Sequence, residues 1–537
     1  MQRLAAIDWI VIGLYFLLTF GGAAYAMWRE RRGAETSADY FLAGRDSGWF
    51  IIGASLFASN IGSEHLVGLA GTGAASGVAV AQFEILAALV LLLLGWVFVP
   101  FYLRSGVYTM PEFLERRYSP AARWYLAVIS IIAYVLTKIS VTIAAGGIVF
   151  ESLMGIGFWT GALVVVIATG IYTIFGGLRA VLITDAIQMF VLVGGAIVVT
   201  WIGLDAAGGW SELRTAAGPA FMDLWKPASD PDFPWTGIAF GAPILGIWYW
   251  CTDQFIVQRT LAARNLQHAR RGTILAGFLK LLPLFIFVMP GVIAYVLAQR
   301  GQLTLASDDQ ALPALVGALL PAGLRGIVVA GLLAALMSSL SSVFNSTSTL
   351  ITWDIYKKLQ PAASERKLVW VGRVATTALV VFGLLWIPFM QRISGQLYQY
   401  LQSVQAYIAP PITAVFLLGL LWSRLNARGA MAALLTGFVL GMGRLVAELN
   451  KASLHGFLFT YADINFLHFA ALLFVICSAV LVLVSLGTPA PPREKIVGLT
   501  WDTTIAAPRD KQGIGVDGFL SLLLASAVLV IWLYFSG

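Results

Sequence analysis

The feature that most constrains this chain is a succession of apolar runs, each about 20 residues long and almost free of charge, the length a helix needs to cross a bilayer core about 30 Å thick. About fourteen can be counted, centred near residues 18, 60, 90, 135, 165, 192, 248, 285, 332, 377, 408, 435, 475 and 525. Of the 537 residues, 59% are hydrophobic and 11% charged, against about 25% charged in soluble domains. Lipid can solvate that excess, and a soluble core cannot. The expected fold class is therefore an all-α integral membrane protein, a single transmembrane unit over 1–537. The first run, Asp8 to Met27, is followed by WRERR and reads as a span with a stop-transfer flank, not as a cleaved leader.

Charge gives the spans a direction. Arg and Lys crowd alternate loops, with Arg29, Arg31, Arg32 and Arg45 in one, Arg104, Arg116, Arg117 and Arg123 in the next, then Arg259, Arg264, Arg270 and Arg271, Lys357, Lys358, Arg366 and Lys367, and finally Arg493 and Lys495. The intervening loops hold few, such as Arg214, Lys226 and Arg300. By the positive-inside rule the rich face is cytoplasmic. Both termini are then extracytoplasmic, and about 488–514 is a cytoplasmic loop before the last helix. The net charge of +7 is thus a topology signal; a nucleic-acid footprint would cluster on one soluble face. Cys251 and Cys477 both lie in apolar runs and suggest neither a disulfide framework nor a metal cluster.

Two spans are built to break. The second reads GASLFASNIGSEHLVGLAGTG and the seventh GAPILGIWYWCTDQFIVQR, with small, polar or proline residues where a plain span holds Leu and Ile. They lie five spans apart, an odd offset that inverts membrane orientation. Inverted repeats with broken helices at matching places are a common transporter plan. The first repeat is expected over about 48–204 and the second over about 237–423.

Ionisable groups at membrane depth are costly and point to function. Here they are Glu64, His65, Glu84, Lys138, Asp185 and Lys280. Lys138 has a bland alternative, snorkelling to the interface. Glu84 and Lys280 sit near the middles of their spans, where a structural ion pair competes with a pair that also binds a ligand's hydroxyls. Ser338, Ser339, Ser341 and Ser342 cover one turn of the ninth span. Close helix packing is their plain reading, and oxygen ligands for an alkali cation, with Asp185 adding charge, is the functional one. Trp248, Tyr249 and Trp250 lie too deep for an interfacial belt, and their faces suit the C–H faces of a sugar ring.

The strings DYFLAGR at 39–45, GASLFASNIGSEHLVGLAGTGAASG at 53–77, YTMPEFLERRY at 108–118, GGLRAVLITDAIQ at 176–188, WYWCTDQFIVQRTLAARN at 248–265, AALMSSLSSVFNSTSTL at 334–350 and LQSVQAYIAPPITAVFLLGLLW at 401–422 resemble the sodium/glucose cotransporters of the sodium:solute symporter family. The resemblance spans most of 39–425. It implies a LeuT-like fold of two inverted five-helix repeats with peripheral helices, and sodium-driven symport by alternating access, here in a bacterial member placed in the inner membrane. It puts the sugar site on Asn60, His65, Glu84, Tyr249, Trp250, Lys280 and Gln402, the outer gate on Leu69, Phe83 and Tyr398, and the inner gate on Tyr249. It assigns a sodium site to the carbonyls of Ala58, Ile61 and Ala335 and the hydroxyls of Ser338 and Ser339. A second sodium site, found in some members, falls on Ser59, Asp185, Ser341 and Ser342. The pocket's edge departs from the pattern. Gly246 stands where relatives offer Asn or Thr, Ala87 replaces a Ser, and Gln399 and Gln405 replace an Asp and a Thr. The expected partners are sodium ions, a neutral hexose such as glucose or galactose, and the bilayer, with no nucleic acid. Glu84 disfavours an anionic solute, whereas myo-inositol offers the same ring of hydroxyls. A solute-gated sensor or channel on this fold is a further alternative. No nucleophile–base pair suggests an enzyme.

Overall fold

Each of the fourteen apolar centres falls in a helical segment. The structure is a computed structural model that describes residues 4–30, 36–390, 397–504 and 514–536. Its principal helices are α1 (Ala6–Glu30), α2 (Trp49–Asn60), α3 (Ser63–Ser76), α4 (Gln82–Leu93), α5 (Pro120–Ala133), α6 (Ser140–Val149), α7 (Phe158–Ala206), α8 (Ala242–Ile247), α9 (Gln254–Leu261), α10 (Leu266–Leu279), α11 (Met289–Gln299), α12 (Leu324–Thr349), α13 (Glu365–Met390), α14 (Leu397–Leu421), α15 (Ala427–Leu449), α16 (Phe466–Leu486) and α17 (Ile514–Tyr534). Among the described residues there is no β-strand, and ten helices are long and apolar enough to cross a bilayer. Three of the four missing spans have a physical cause. The runs centred on 60 and 248 are broken into short helices, those on 165 and 192 are joined in α7, and α13 ends at the edge of the described residues. The loop expected at 488–514 is described as far as Thr504; 505–513 lie outside the described residues.

The 49 residues of α7 are two helices, 158–176 and 178–206, meeting at Gly177 with φ +53° and ψ −157°. Only glycine adopts that conformation without strain. A Cβ there would also stand 2.6 Å from the Tyr40 carbonyl oxygen. Gly177→Ala should therefore cost about 1–3 kcal/mol from backbone strain alone, read as a lower unfolding midpoint of the full chain in detergent; an unchanged midpoint would sink this account. Elsewhere small residues let helices approach closely. A Cβ on Gly291 of α11 would be 1.9 Å from the Ala70 carbonyl of α3.

Several arginines that read as loop charges in the sequence are in fact buried. Arg117 donates to the carbonyls of Gly419, Trp422 and Leu425, closing the C-terminal end of α14. Arg123 bonds Asp354 and Glu115, both at 2.6 Å, and Lys358 reaches Glu115 at 2.6 Å. Burial works to raise the pKa of Glu115, but the bonds from Lys358 and Arg123 outweigh it and hold the carboxyl below the ordinary glutamate range. Arg259 is fully enclosed, with a side-chain exposure of 0%. Charge counting over loops therefore included groups that water does not reach.

Candidate functional site

The second span breaks where its sequence loses large apolar residues. Ile61 leaves the helical region at φ −81°, ψ 88°. The Gly62 N–H, which would continue the helix by bonding Ala58 O, instead donates to the Asn60 carbonyl at 3.0 Å. The seventh span breaks after a π-helical turn, Trp248–Thr252, at Asp253 with ψ 126°. Asp253 caps α9 by accepting from the Phe255 N–H at 3.2 Å. Outside side chains take up carbonyls near the break: Tyr102 donates to Cys251 O at 2.6 Å and Thr413 to Ile244 O at 3.0 Å. A third interruption follows α10. Pro283 has no N–H to give and crowds the carbonyl four residues back, and Lys280 lies in the turn just before it.

These interruptions converge on a narrow cavity of about 50 Å³. Six of the seven residues expected for the sugar line it, namely Asn60, His65, Glu84, Tyr249, Trp250 and Gln402. The seventh, Lys280, is fully buried behind them and donates to Glu84 Oε2 and Asn60 Oδ1. Asn60 Nδ2 donates onward to the Tyr249 hydroxyl at 3.0 Å. His65 Nε2 stands 3.9 Å from Glu84 Oε1. The Lys280 ammonium also lies 5.2 Å from the Trp250 ring centroid. Carboxylate, ammonium, amide and phenol thus form one chain of hydrogen bonds, with charges balanced within it. The altered edge positions Ala87, Gly246 and Gln405 line the same cavity.

Of the outer gate, Phe83 lines the cavity and packs 6.1 Å from Phe233 and 6.4 Å from Phe466, ring to ring. Leu69 is buried on α3. The side chains of Tyr398, Gln399 and Glu64 lie outside the described residues. Below the aromatic pair, the Lys138 ammonium sits 4.1 Å from the Tyr249 ring centroid and 4.0 Å from that of Phe255. Cation–π attraction of this kind holds an aromatic face in place. Its position had left snorkelling open; in the structure the side chain points into the protein, from a π-helical turn, Tyr134–Ile139.

The hydroxyl-rich turn of α12 faces the end of α2. Ser339 donates to the Ser59 carbonyl at 3.4 Å, which brings the element carrying the Ala335 carbonyl against the one carrying those of Ala58 and Ile61. Ser338 does something else: its hydroxyl donates to Asp185 Oδ1 at 2.6 Å. Asp185 Oδ2 accepts from Ser55 at 2.6 Å and from Ser59 at 2.9 Å. Ser342 donates to Ser59 Oγ at 3.0 Å and Ser341 to the Ser338 carbonyl at 3.0 Å. The four residues of the expected second sodium site are therefore neighbours. A fifth is among them that sequence reasoning missed. Arg259, on α9, donates from Nε to Ser55 and Ser59 at 3.1 and 2.7 Å, and from its end nitrogens to Ser342 and the Phe255 carbonyl.

Broken helices, unwound carbonyls and a charge-balanced polar cavity deep among apolar spans define a secondary membrane transporter, not an enzyme. Residues 40–437 match the model of the sodium:solute symporter family. The chain belongs to that family. It is 41% identical to sodium/glucose cotransporter 4 of Danio rerio, over 93% of this chain and 81% of that protein. It is 43% identical to the sodium/mannose cotransporter of Bos taurus, over 94% and 90%, and 39% identical to the sodium/myo-inositol cotransporter of Homo sapiens, over 91% and 74%. These are animal proteins and lend no support to a bacterial membrane. Among solved structures, a sodium-coupled sialic acid symporter in a substrate-bound outward-open state shares the fold, with a TM-score of 0.78 at 23% identity over 90% of this chain and 99% of that one. The LeuT-like fold and the multi-pass membrane location stand on this footing.

Proposed function

We propose that the chain is a sodium-coupled symporter of a small neutral sugar, a hexose such as glucose or galactose, working by alternating access. The observation that carries this reading is the hydrogen-bonded set Glu84–Lys280–Asn60–Tyr249 at a cavity that also holds His65, Gln402 and the Trp250 ring. Acceptors and donors alternate around it, as the hydroxyls of a sugar require, and aromatic faces suit the ring's C–H faces. The neutral balance of Glu84 with Lys280 favours an uncharged solute over an anion. A second reading, myo-inositol, is favoured by the 39% identity to cotransporters of that solute, since its hydroxyl ring would meet the same groups.

In this reading Leu69, Phe83 and Tyr398 close the outer side and Tyr249 the inner. Sodium is held where α2 unwinds against α12, by the Ala58, Ile61 and Ala335 carbonyls and the Ser339 hydroxyl, with Ser338 shared with Asp185. The repeats at about 48–204 and 237–423 rock about these sites. The loop-charge asymmetry supports extracytoplasmic termini.

The test is uptake of radiolabelled hexoses and myo-inositol into liposomes carrying the purified protein. Uptake driven by an inward sodium gradient is expected; sodium-independent uptake, or none of any of these solutes, would overturn the reading. Ser339→Ala should raise the half-saturating sodium concentration about tenfold, the worth of one hydroxyl contact to an ion, at about 1.5 kcal/mol. An unchanged sodium activation curve would remove Ser339 from the site.

A further inference from the structure

Where the third span ends, the chain builds a second pocket, of about 590 Å³, apart from the solute cavity. Arg104, Arg116 and Lys495 line it, with one carboxylate, Glu494. The cations come from three places in the chain, the short helix Val99–Ser105, the helix Met110–Arg117 and the turn Arg493–Lys495. Arg116 is balanced by Glu112 at 2.7 Å and also donates to the Ser105 carbonyl, closing the end of Val99–Ser105. Lys495 gives one proton to the Glu115 carbonyl at 2.9 Å, which leaves two N–H groups over. Arg104 is exposed and, among the described residues, has no hydrogen bond or ion pair. With Glu494 set against one of these charges, the pocket keeps one positive charge in excess. The wall from 496 to 503 is held in shape by its own bonds. Gly498 turns the chain at φ +75°, its N–H donates to Thr503 Oγ1 at 3.2 Å, and Thr503 donates to the Ile496 carbonyl at 2.9 Å. Apolar side chains on that segment are left partly uncovered: Val497, which lines the pocket, is 58% exposed and Trp501 40%. Trp501 lies 6.3 Å, ring to ring, from Phe101 of the span that ends at Ser105. An exposed Trp at the end of a span marks the depth of the lipid headgroups.

We propose that this pocket holds the phosphate of an anionic phospholipid, with Arg104 and Lys495 on the phosphate oxygens and Val497 and Trp501 against the glycerol and the upper acyl chains. The one excess charge matches the single charge of a phosphodiester headgroup. A guanidinium offers its N–H groups in the fork that phosphate oxygens fit, and an ammonium adds a point charge beside it. Basic pockets between spans are suited to lipid headgroups for this reason. Free phosphate would supply the same anion but nothing to cover Val497 and Trp501, and burying such apolar surface is favourable. The lipid therefore joins the end of the third span, the helix Met110–Arg117 and the loop before α17. Its assignment to the cytoplasmic leaflet rests on the loop-charge reading above; the binding itself depends on neither that reading nor sodium symport.

The test is a titration of the purified full-length protein in detergent with phosphatidylglycerol, or with phosphatidylcholine of the same acyl chains, the bound lipids being counted by native mass spectrometry. Phosphatidylglycerol should fill one tight site that phosphatidylcholine does not. Arg104→Gln combined with Lys495→Gln should weaken that site about thirtyfold, the worth of two charges at a membrane surface. Arg366→Gln, which removes an exposed charge that does not line the pocket, should leave it unchanged. Glycerol 1-phosphate, the same anion without chains, should not displace the lipid at tenfold excess. Equal binding of the two lipids, or an unaltered affinity in the folded double variant, would overturn the proposal. An equal loss in Arg366→Gln would overturn it as well, by showing diffuse attraction to the whole face. Displacement by glycerol 1-phosphate would make the occupant a soluble phosphate and overturn the lipid. Should the double variant not fold, Arg104→Gln alone decides, since its side chain is at the surface; about fivefold weakening is expected, and none would overturn the proposal.

Discussion

Replacing Lys280 by methionine is expected to abolish solute binding and to cost the folded protein about 3–5 kcal/mol, because Glu84 is left buried without its counter-charge. The ammonium is enclosed and Glu84 is 3% exposed, so water cannot take over the lost partner. Asn60 loses that donor at the same time and keeps its bond to Tyr249. Glu84→Gln should be comparably damaging in the other sense, with an ammonium left facing an amide. The double replacement Glu84→Gln with Lys280→Met separates structure from function. It removes both charges, so most of the lost stability should return, while binding stays absent because the alternating acceptor and donor are gone. Unfolding midpoints in detergent and equilibrium solute binding read the two effects separately. A double variant as unstable as either single one would mean that the pair's charges do not balance each other. Retained binding in Lys280→Met would reduce the pair to a structural role.

That pair shows what kind of information a sequence carries. Glu84 and Lys280 stand out because lipid rejects each of them, and their opposite signs suggest that they meet. The break in α2 is legible for a similar reason, since Gly, Ser and Asn replace the Leu and Ile that lipid would favour. Other features depend on geometry that composition does not encode. Arg259 stands in QRTLAARN, a basic string that looks like a loop. Only its place on α9, facing α2 and α12, turns it into a buried cation. Ser338 and Ser339 are adjacent, so their hydroxyls point about 100° apart around the helix. One therefore reaches Asp185 on α7 and the other the unwound end of α2. The π-helical turns under Tyr249 and Lys138 leave no mark in the apolar pattern, yet they set where those side chains aim.

Replacing Tyr249 by alanine is expected to abolish accumulation of solute, while sodium binding persists. The ring is fixed from several sides. Its hydroxyl accepts from Asn60 at 3.0 Å, its face lies 4.1 Å from the Lys138 ammonium, and Trp250 packs edge-on at 5.2 Å. Removing only the hydroxyl, in Tyr249→Phe, takes one neutral hydrogen bond worth about 1 kcal/mol. That should weaken solute affinity about fivefold and leave transport coupled. Removing the whole ring does more. It opens the cavity floor and deprives the buried Lys138 ammonium of one of the two aromatic faces that hold it. A solute site open to both sides equilibrates with the bath, however large the sodium gradient. The loss can be given a size. One sodium ion moving through 100 mV supplies about 2.3 kcal/mol, and a tenfold sodium gradient adds about 1.4 kcal/mol. Together they support an inside-to-outside solute ratio of a few hundred, and a second ion would square it. Tyr249→Ala should bring the ratio to about one. A mutant that still concentrates solute would show that the inner closure lies in other side chains. One that loses its ²²Na⁺ binding together with transport would show that the ring supports the sodium site and does not serve as a gate.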